Sequence, residues 1–152
     1  MHILREDKND VLRASRLLGI NAVVLWFLAG GVPAQQQARL VEVTAGHDSR
    51  FRVAGQAKPV ITVKSGEEIR LRITAVKAKS KNKDGSIHSF TLLRSKDRSP
   101  VPDWDLMLKP VTQEFTMTAP EEPGEYEVVC TVICSADHPQ MSLKFIVEPR
   151  GG

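Results

Sequence analysis

The chain has 152 residues, of which 41% are hydrophobic, 26% charged and 5% aromatic; this describes an ordinary globular protein and excludes disordered and collagen-like classes. The length suits one domain and excludes a large multidomain enzyme. A formal net charge of +3 is too mild for a nucleic-acid partner, which needs positive charge concentrated along one face.

The N-terminus comes first. Arg5, Lys8, Arg13 and Arg16 precede an apolar stretch over 17–31, and Val32-Pro33-Ala34 follows before a run of glutamines. A basic region, a short apolar region and small residues before a cut are the features of a secretory signal peptide. The expected cut is after Ala34, leaving a domain over 35–152. The alternative is an uncleaved anchor, the one case in which a membrane is involved, but the run is short for a spanning helix and Asn21 interrupts it. The expected location is periplasmic or otherwise extracytoplasmic.

The rest reads as short strands. Leu40, Val41 and Val43 open the series, Phe51 and Val53 follow, and residues 59–63 form a β-branched run closed by Ser65-Gly66. Ile69, Leu71, Ile73 and Ala75 alternate with Arg70, Arg72 and Thr74, the period of a strand with one face in the core. Ile87 to Leu93 is a further strand. Residues 94–110 hold three prolines and several charges and predict a long loop, with Trp104 packing over one end of the fold. Phe115 and Met117 alternate with Glu114 and Thr116. Pro123-Gly124 marks a turn, Glu125 to Cys130 is a strand with Tyr126, Val128 and Cys130 on one face, and Leu143, Phe145 and Val147 alternate in the last. The sum predicts an all-β sandwich with Greek-key connections and a mostly aliphatic core.

The only two cysteines stand in Cys130-Thr-Val-Ile-Cys134-Ser-Ala-Asp-His138-Pro-Gln-Met141. Thiolate and thioether are soft ligands suited to copper, as is imidazole, whereas methionine has no place in the usual zinc sets. An extended strand would hold the Cα atoms of Cys130 and Cys134 roughly 13 Å apart. Both can face one centre only if residues 131–133 loop. A second imidazole must come from elsewhere, and His88 in Ile87-His88-Ser89-Phe90 is the candidate. A structural disulfide between Cys130 and Cys134 is the competing reading, natural in an exported protein.

This pattern resembles the CuA site of the cupredoxin domain in cytochrome c oxidase subunit II and nitrous oxide reductase. The resemblance covers roughly residues 50–148. It rests on residues 59–63 with Gly66, the His88-Ser89-Phe90 segment, Pro123-Gly124-Glu125-Tyr126, and C-x3-C-x3-H-x2-M. It implies a cupredoxin-like sandwich with two copper ions bridged by Cys130 and Cys134. His88 and Met141 would complete one copper, and His138 with the backbone carbonyl of Val132 the other. The family usually has glycine after the second cysteine, where this chain has Ser135; its oxidase subunit has two membrane helices ahead of the domain, where this chain has only the removable segment.

The function expected is single-electron transfer without catalysis of its own, with a cytochrome or an oxidase or reductase as redox partner. Copper delivery and an accessory subunit of a terminal oxidase or reductase are the alternatives. Lys77, Lys79, Lys81 and Lys83 alternate just before His88 and would suit an acidic partner; a solvated loop is the bland reading. Glu121, Glu122, Glu125 and Glu127 form an acidic cluster, and His47 belongs to an exposed turn. G-x-S-x-G, P-loop and G-x-G-x-x-G motifs are absent.

Overall fold

Two-residue alternation of apolar and polar side chains turns most of this chain into half-buried strands. The computed structural model describes residues 38–78, 80–133 and 136–151, without the side chain of His138. The segment assigned to a signal peptide, 1–34, lies outside the described residues, as do Lys79, Cys134 and Ser135.

The strands are β1 (Arg39–Ala45), β2 (Phe51–Val53), β3 (Val60–Lys64), β4 (Glu68–Ala75), β5 (His88–Arg94), β6 (Pro100–Leu108), β7 (Thr112–Thr118), β8 (Gly124–Val129) and β9 (Ser142–Glu148). Among the described residues the one helical element is a 3-10 turn, His138–Gln140. A four-stranded sheet runs β2-β1-β4-β7 and a five-stranded sheet β3-β9-β8-β5-β6. β1 lies parallel to β4 and β3 parallel to β9; the other neighbours are antiparallel. The all-β sandwich expected from the sequence is thus what the chain forms.

The inward faces are those the alternation marks. Ile69, Leu71 and Ile73 of β4 are buried, as are Ile61 and Val63 of β3 and Leu143, Phe145 and Val147 of β9. Outward residues of the four-stranded sheet are polar apart from Leu40, and Arg72 reaches both Glu42 and Glu114, tying β1, β4 and β7 together. The turn between β3 and β4 needs a left-handed residue, which Gly66 supplies at φ 60°.

The long loop expected over 94–110 is a correction. Residues 100–108 form β6, antiparallel to β5, with His88 opposite Leu108 and Thr91 opposite Asp105. β6 is the outermost strand of its sheet, so Pro100 and Pro102 cost no ladder bond on the solvent side. Asp103 takes a positive φ of 64°, and the β5–β6 register shifts between Thr91 and Leu93. Trp104 does not cap the end of the fold. It is buried in the core, meets Phe145 edge-to-face at 5.3 Å, and donates its Nε1 proton to the Thr118 carbonyl at 3.1 Å, joining the two sheets. The core is mostly aliphatic, as expected, with Phe51, Phe90, Trp104, Tyr126 and Phe145 buried within it.

Candidate metal centre

β8 lies between β5 and β9, and its register decides which residues meet at its end. Thr91 pairs with Val129 on one side, and Val129 with Ser142 on the other. Continuing both ladders past Val129 brings Ser89 opposite Thr131 and Met141 opposite Cys130. The hydrogen bonds agree: the Thr131 amide donates to Ser89 Oγ at 2.8 Å, and the Cys130 amide donates to the Met141 carbonyl at 3.2 Å. His88, at the start of β5, Cys130, just past the end of β8, and Met141, just before β9, are thus drawn to one end of the five-stranded sheet. His88, distant in sequence, is brought to the Cys130–Met141 segment there by strand order.

The side chains at that end are buried. His88 and Met141 are 1% exposed, Val132 3% and Cys130 6%. Nδ1 of His88 lies 3.9 Å from Cys130 Sγ. The Ser89 amide donates to that sulfur at 3.4 Å, and the Val132 carbonyl stands 3.4 Å from it as an acceptor. Nε2 of His88 is buried with no hydrogen bond of ordinary geometry among the described residues. Burial lowers the His88 pKa from its ordinary value, with the Val76 backbone opposing. Burial thus disfavours the charged imidazolium, and the neutral ring is the form that binds a metal.

Of the six candidate ligands, the structure brings His88, Cys130, Val132 and Met141 to one region. Cys134 lies outside the described residues, and so does the side chain of His138, whose backbone belongs to the 3-10 turn between the cysteine segment and β9. Among the described residues no group of three His, Cys, Asp or Glu side chains is gathered around one point. Thiolate and imidazole are both donors suited to copper. Cys130 and His88 place one of each side by side and away from water, a donor pair that fits a copper ion.

The surroundings add two features. The 76–87 segment reaches over the cysteine loop, where Ser80 Oγ donates to the Ile133 carbonyl at 2.5 Å. Lys77, Lys81 and Lys83 of this segment are exposed, and Ile133 beside it is 71% exposed. The glutamates do not form a patch of one sign. Glu122 pairs with Lys96 and Glu125 with Lys144, at 2.8 and 2.7 Å, and Glu127 pairs with Arg98. His47 is exposed in its turn, as expected.

Sequence reasoning missed the hydroxyl groups behind the cysteine. Ser89 and Thr91 are buried on β5, and Thr91 Oγ1 donates to Asp105 Oδ1 of β6 at 2.6 Å. Ser89 belongs to the His88-Ser89-Phe90 segment, but nothing there marks its hydroxyl or that of Thr91, because Thr131 and Asp105 meet them only in the folded sheet.

No protein-family model matches the chain, and no curated protein matches it. Among solved structures it is similar to auracyanin A, a "blue" copper protein of the green photosynthetic bacterium Chloroflexus aurantiacus. That match has 20% identity, covers 72% of this chain and 98% of the other, and has a TM-score of 0.49. Rusticyanin of Thiobacillus ferrooxidans matches at 22% identity over 72% of this chain and 76% of its own, with a TM-score of 0.49. A chain of a heme-copper terminal oxidase dimer matches at 19% identity over 76% of this chain and 68% of its own, with a TM-score of 0.46.

Proposed function

We propose that this chain is an exported cupredoxin that binds copper and passes single electrons, with no catalysis of its own. The observation that carries the reading is the buried pair of His88 Nδ1 and Cys130 Sγ, 3.9 Å apart and contributed by residues 42 apart in sequence. Copper held between them would supply a one-electron couple. The chain's own contribution is rigidity: β5, β8 and β9 are bonded side by side and fix where the donors stand. Limiting donor movement lowers the reorganisation that accompanies electron transfer. The Ser89 amide at the sulfur favours the thiolate over the thiol.

The finer reading is a CuA-like centre of two copper ions, bridged by Cys130 and Cys134, with His88 and Met141 on one ion and His138 and the Val132 carbonyl on the other. The position of the Val132 carbonyl beside Cys130 Sγ and the burial of Met141 support it. The partner is a redox protein, a cytochrome or an oxidase or reductase, and the exposed Lys77, Lys81 and Lys83 beside the cysteine loop favour one with an acidic docking face. Residues 1–34 act as a signal peptide that places the domain outside the cytoplasm.

Metal analysis of the protein isolated from its own compartment tests this. Two coppers per chain, with a mixed-valent spin signal shared by two copper nuclei, are expected. One copper per chain would overturn the dinuclear centre, and zinc in place of copper would overturn the electron-transfer reading. Reversible reduction with copper retained is expected; loss of copper to an acceptor on reduction would mark a delivery protein instead.

A further inference from the structure

Behind Cys130 runs a line of hydroxyls that ends on a surface carboxylate. Thr131 Oγ1 lies 2.9 Å from Ser89 Oγ, Ser89 Oγ 3.0 Å from Thr91 Oγ1, and Thr91 Oγ1 2.6 Å from Asp105 Oδ1. Ser89 is fully buried and Thr91 nearly so, while Asp105 is exposed on β6.

Proton counting gives this line a direction. An ionised carboxylate only accepts, so Thr91 must spend its one hydroxyl proton on Asp105. Thr91 Oγ1 can then only accept from Ser89. Ser89, having given its own proton to Thr91, can only accept from Thr131. It does so twice, from the Thr131 hydroxyl at 2.9 Å and from the Thr131 amide at 2.8 Å. Every hydroxyl in the line therefore points towards Asp105, and the Ser89 oxygen presents its lone pairs to the residue that follows Cys130. The same Ser89 contributes the amide that reaches Cys130 Sγ.

We propose that Asp105 is a positioning residue for the cysteine loop: through Thr91 it aligns Ser89, and Ser89 clamps the backbone at Thr131 and thereby the sulfur of Cys130. Asp105 meets the line at Thr91 Oγ1, and it acts by orienting the hydroxyls between itself and the cysteine loop. It is exposed, so replacing it disturbs no core packing. The proposal deepens the copper reading in one respect, since the clamp matters to a copper centre by holding its sulfur still; the clamp itself is a property of the metal-free chain.

The test uses the full chain, first without metal and then loaded with copper(II). Hydrogen exchange of the Thr131 amide, read by NMR, reports the clamp. In Asp105→Leu and Thr91→Val this amide is expected to exchange about tenfold faster or more, a loss of local protection, while core amides of β4 keep theirs. Thr91→Ser and Asp105→Asn keep the hydroxyl and the accepting oxygen and should restore the slow rate. In the loaded protein the sulfur-to-copper absorption band should move in Asp105→Leu and Thr91→Val and return in the two conservative variants. Unchanged Thr131 exchange in both Asp105→Leu and Thr91→Val would overturn the proposal, as would failure of Asp105→Asn to restore it, since charge and not alignment would then be at work. Failure of the copper reading shows differently, as a chain that binds no copper while its Thr131 amide still answers to Asp105.

Discussion

Phe145 is the central ring of an aromatic cluster in the core, between Trp104 and Tyr126, and its truncation should be severe. The ring is fully buried on β9, pairs in register with Tyr126 of β8, and meets Tyr126 and Trp104 edge-to-face with centroids 6.5 and 5.3 Å away. Replacing a buried phenylalanine with alanine costs about 3–5 kcal/mol through lost transfer energy and the cavity left behind. The walls here belong to strands held by their ladders, so they close little, and about 4 kcal/mol is expected. A domain of this size has roughly 5–15 kcal/mol in total, so about a quarter or more would go. Phe145→Leu keeps most of the volume but gives up two aromatic contacts worth about 0.5–1.5 kcal/mol each, and should cost about 1–3 kcal/mol. Urea unfolding of the metal-free protein measures both. With a slope near 2 kcal/mol per molar, the alanine midpoint should fall by about 2 M. A loss below about 2 kcal/mol for Phe145→Ala at unchanged slope would refute this account of the core, because it would mean the cavity collapses and the strands are not the rigid walls their pairing implies.

Cys134→Ser should abolish the two-copper spectrum; a normal spectrum in that variant would dispose of the bridging role. His88→Ala should sharply reduce copper retained through gel filtration while urea stability changes modestly, and equal retention would separate His88 from the centre. Stripping copper with a chelator should leave the β-sheet circular dichroism intact and lower the melting temperature, since the metal stabilises only the folded state and the strands carry the donors without it; an unfolded metal-free protein would contradict this. The Asp48 carboxyl, hydrogen-bonded to Arg52, has its pKa lowered to about 2. A group depressed in the folded state stabilises above its unfolded pKa and loses that contribution as pH falls towards the folded value, so Asp48→Asn should lower stability slightly at pH 7 and flatten the acid limb between about pH 4 and 2, the two proteins converging below that. An unchanged acid limb would show the pair to contribute nothing.

How much of this was legible depends on the strand. β4 alternates without interruption, and β9 does so but for Ile146, because one face meets the core and the other does not; both were readable in full. β6 was not. Its prolines and acidic residues carry the composition of a loop, and what permits them is a position at the rim of the sheet, which is a property of strand order and not of local sequence. The same distinction divides the candidate site. His88, Cys130 and Met141 could be singled out by chemistry and spacing, and the structure gathers them at one end of the five-stranded sheet. Ser89, Thr91 and Asp105 could not, since a serine and a threonine in a strand are unremarkable until the neighbouring strands are known. Cys134 and the side chain of His138 stand outside the described residues, so the bridging thiol and second imidazole rest on the motif.

The prolines of β6 have a consequence beyond tolerance. A sheet rim normally offers a row of unpaired amides and carbonyls onto which a strand from another molecule can add. At Pro100 and Pro102 the amide hydrogens are missing, and the backbone turn at Asp103 breaks the line of those that remain. A second copy approaching this rim meets no continuous template, which discourages sheet-to-sheet aggregation between molecules at high concentration.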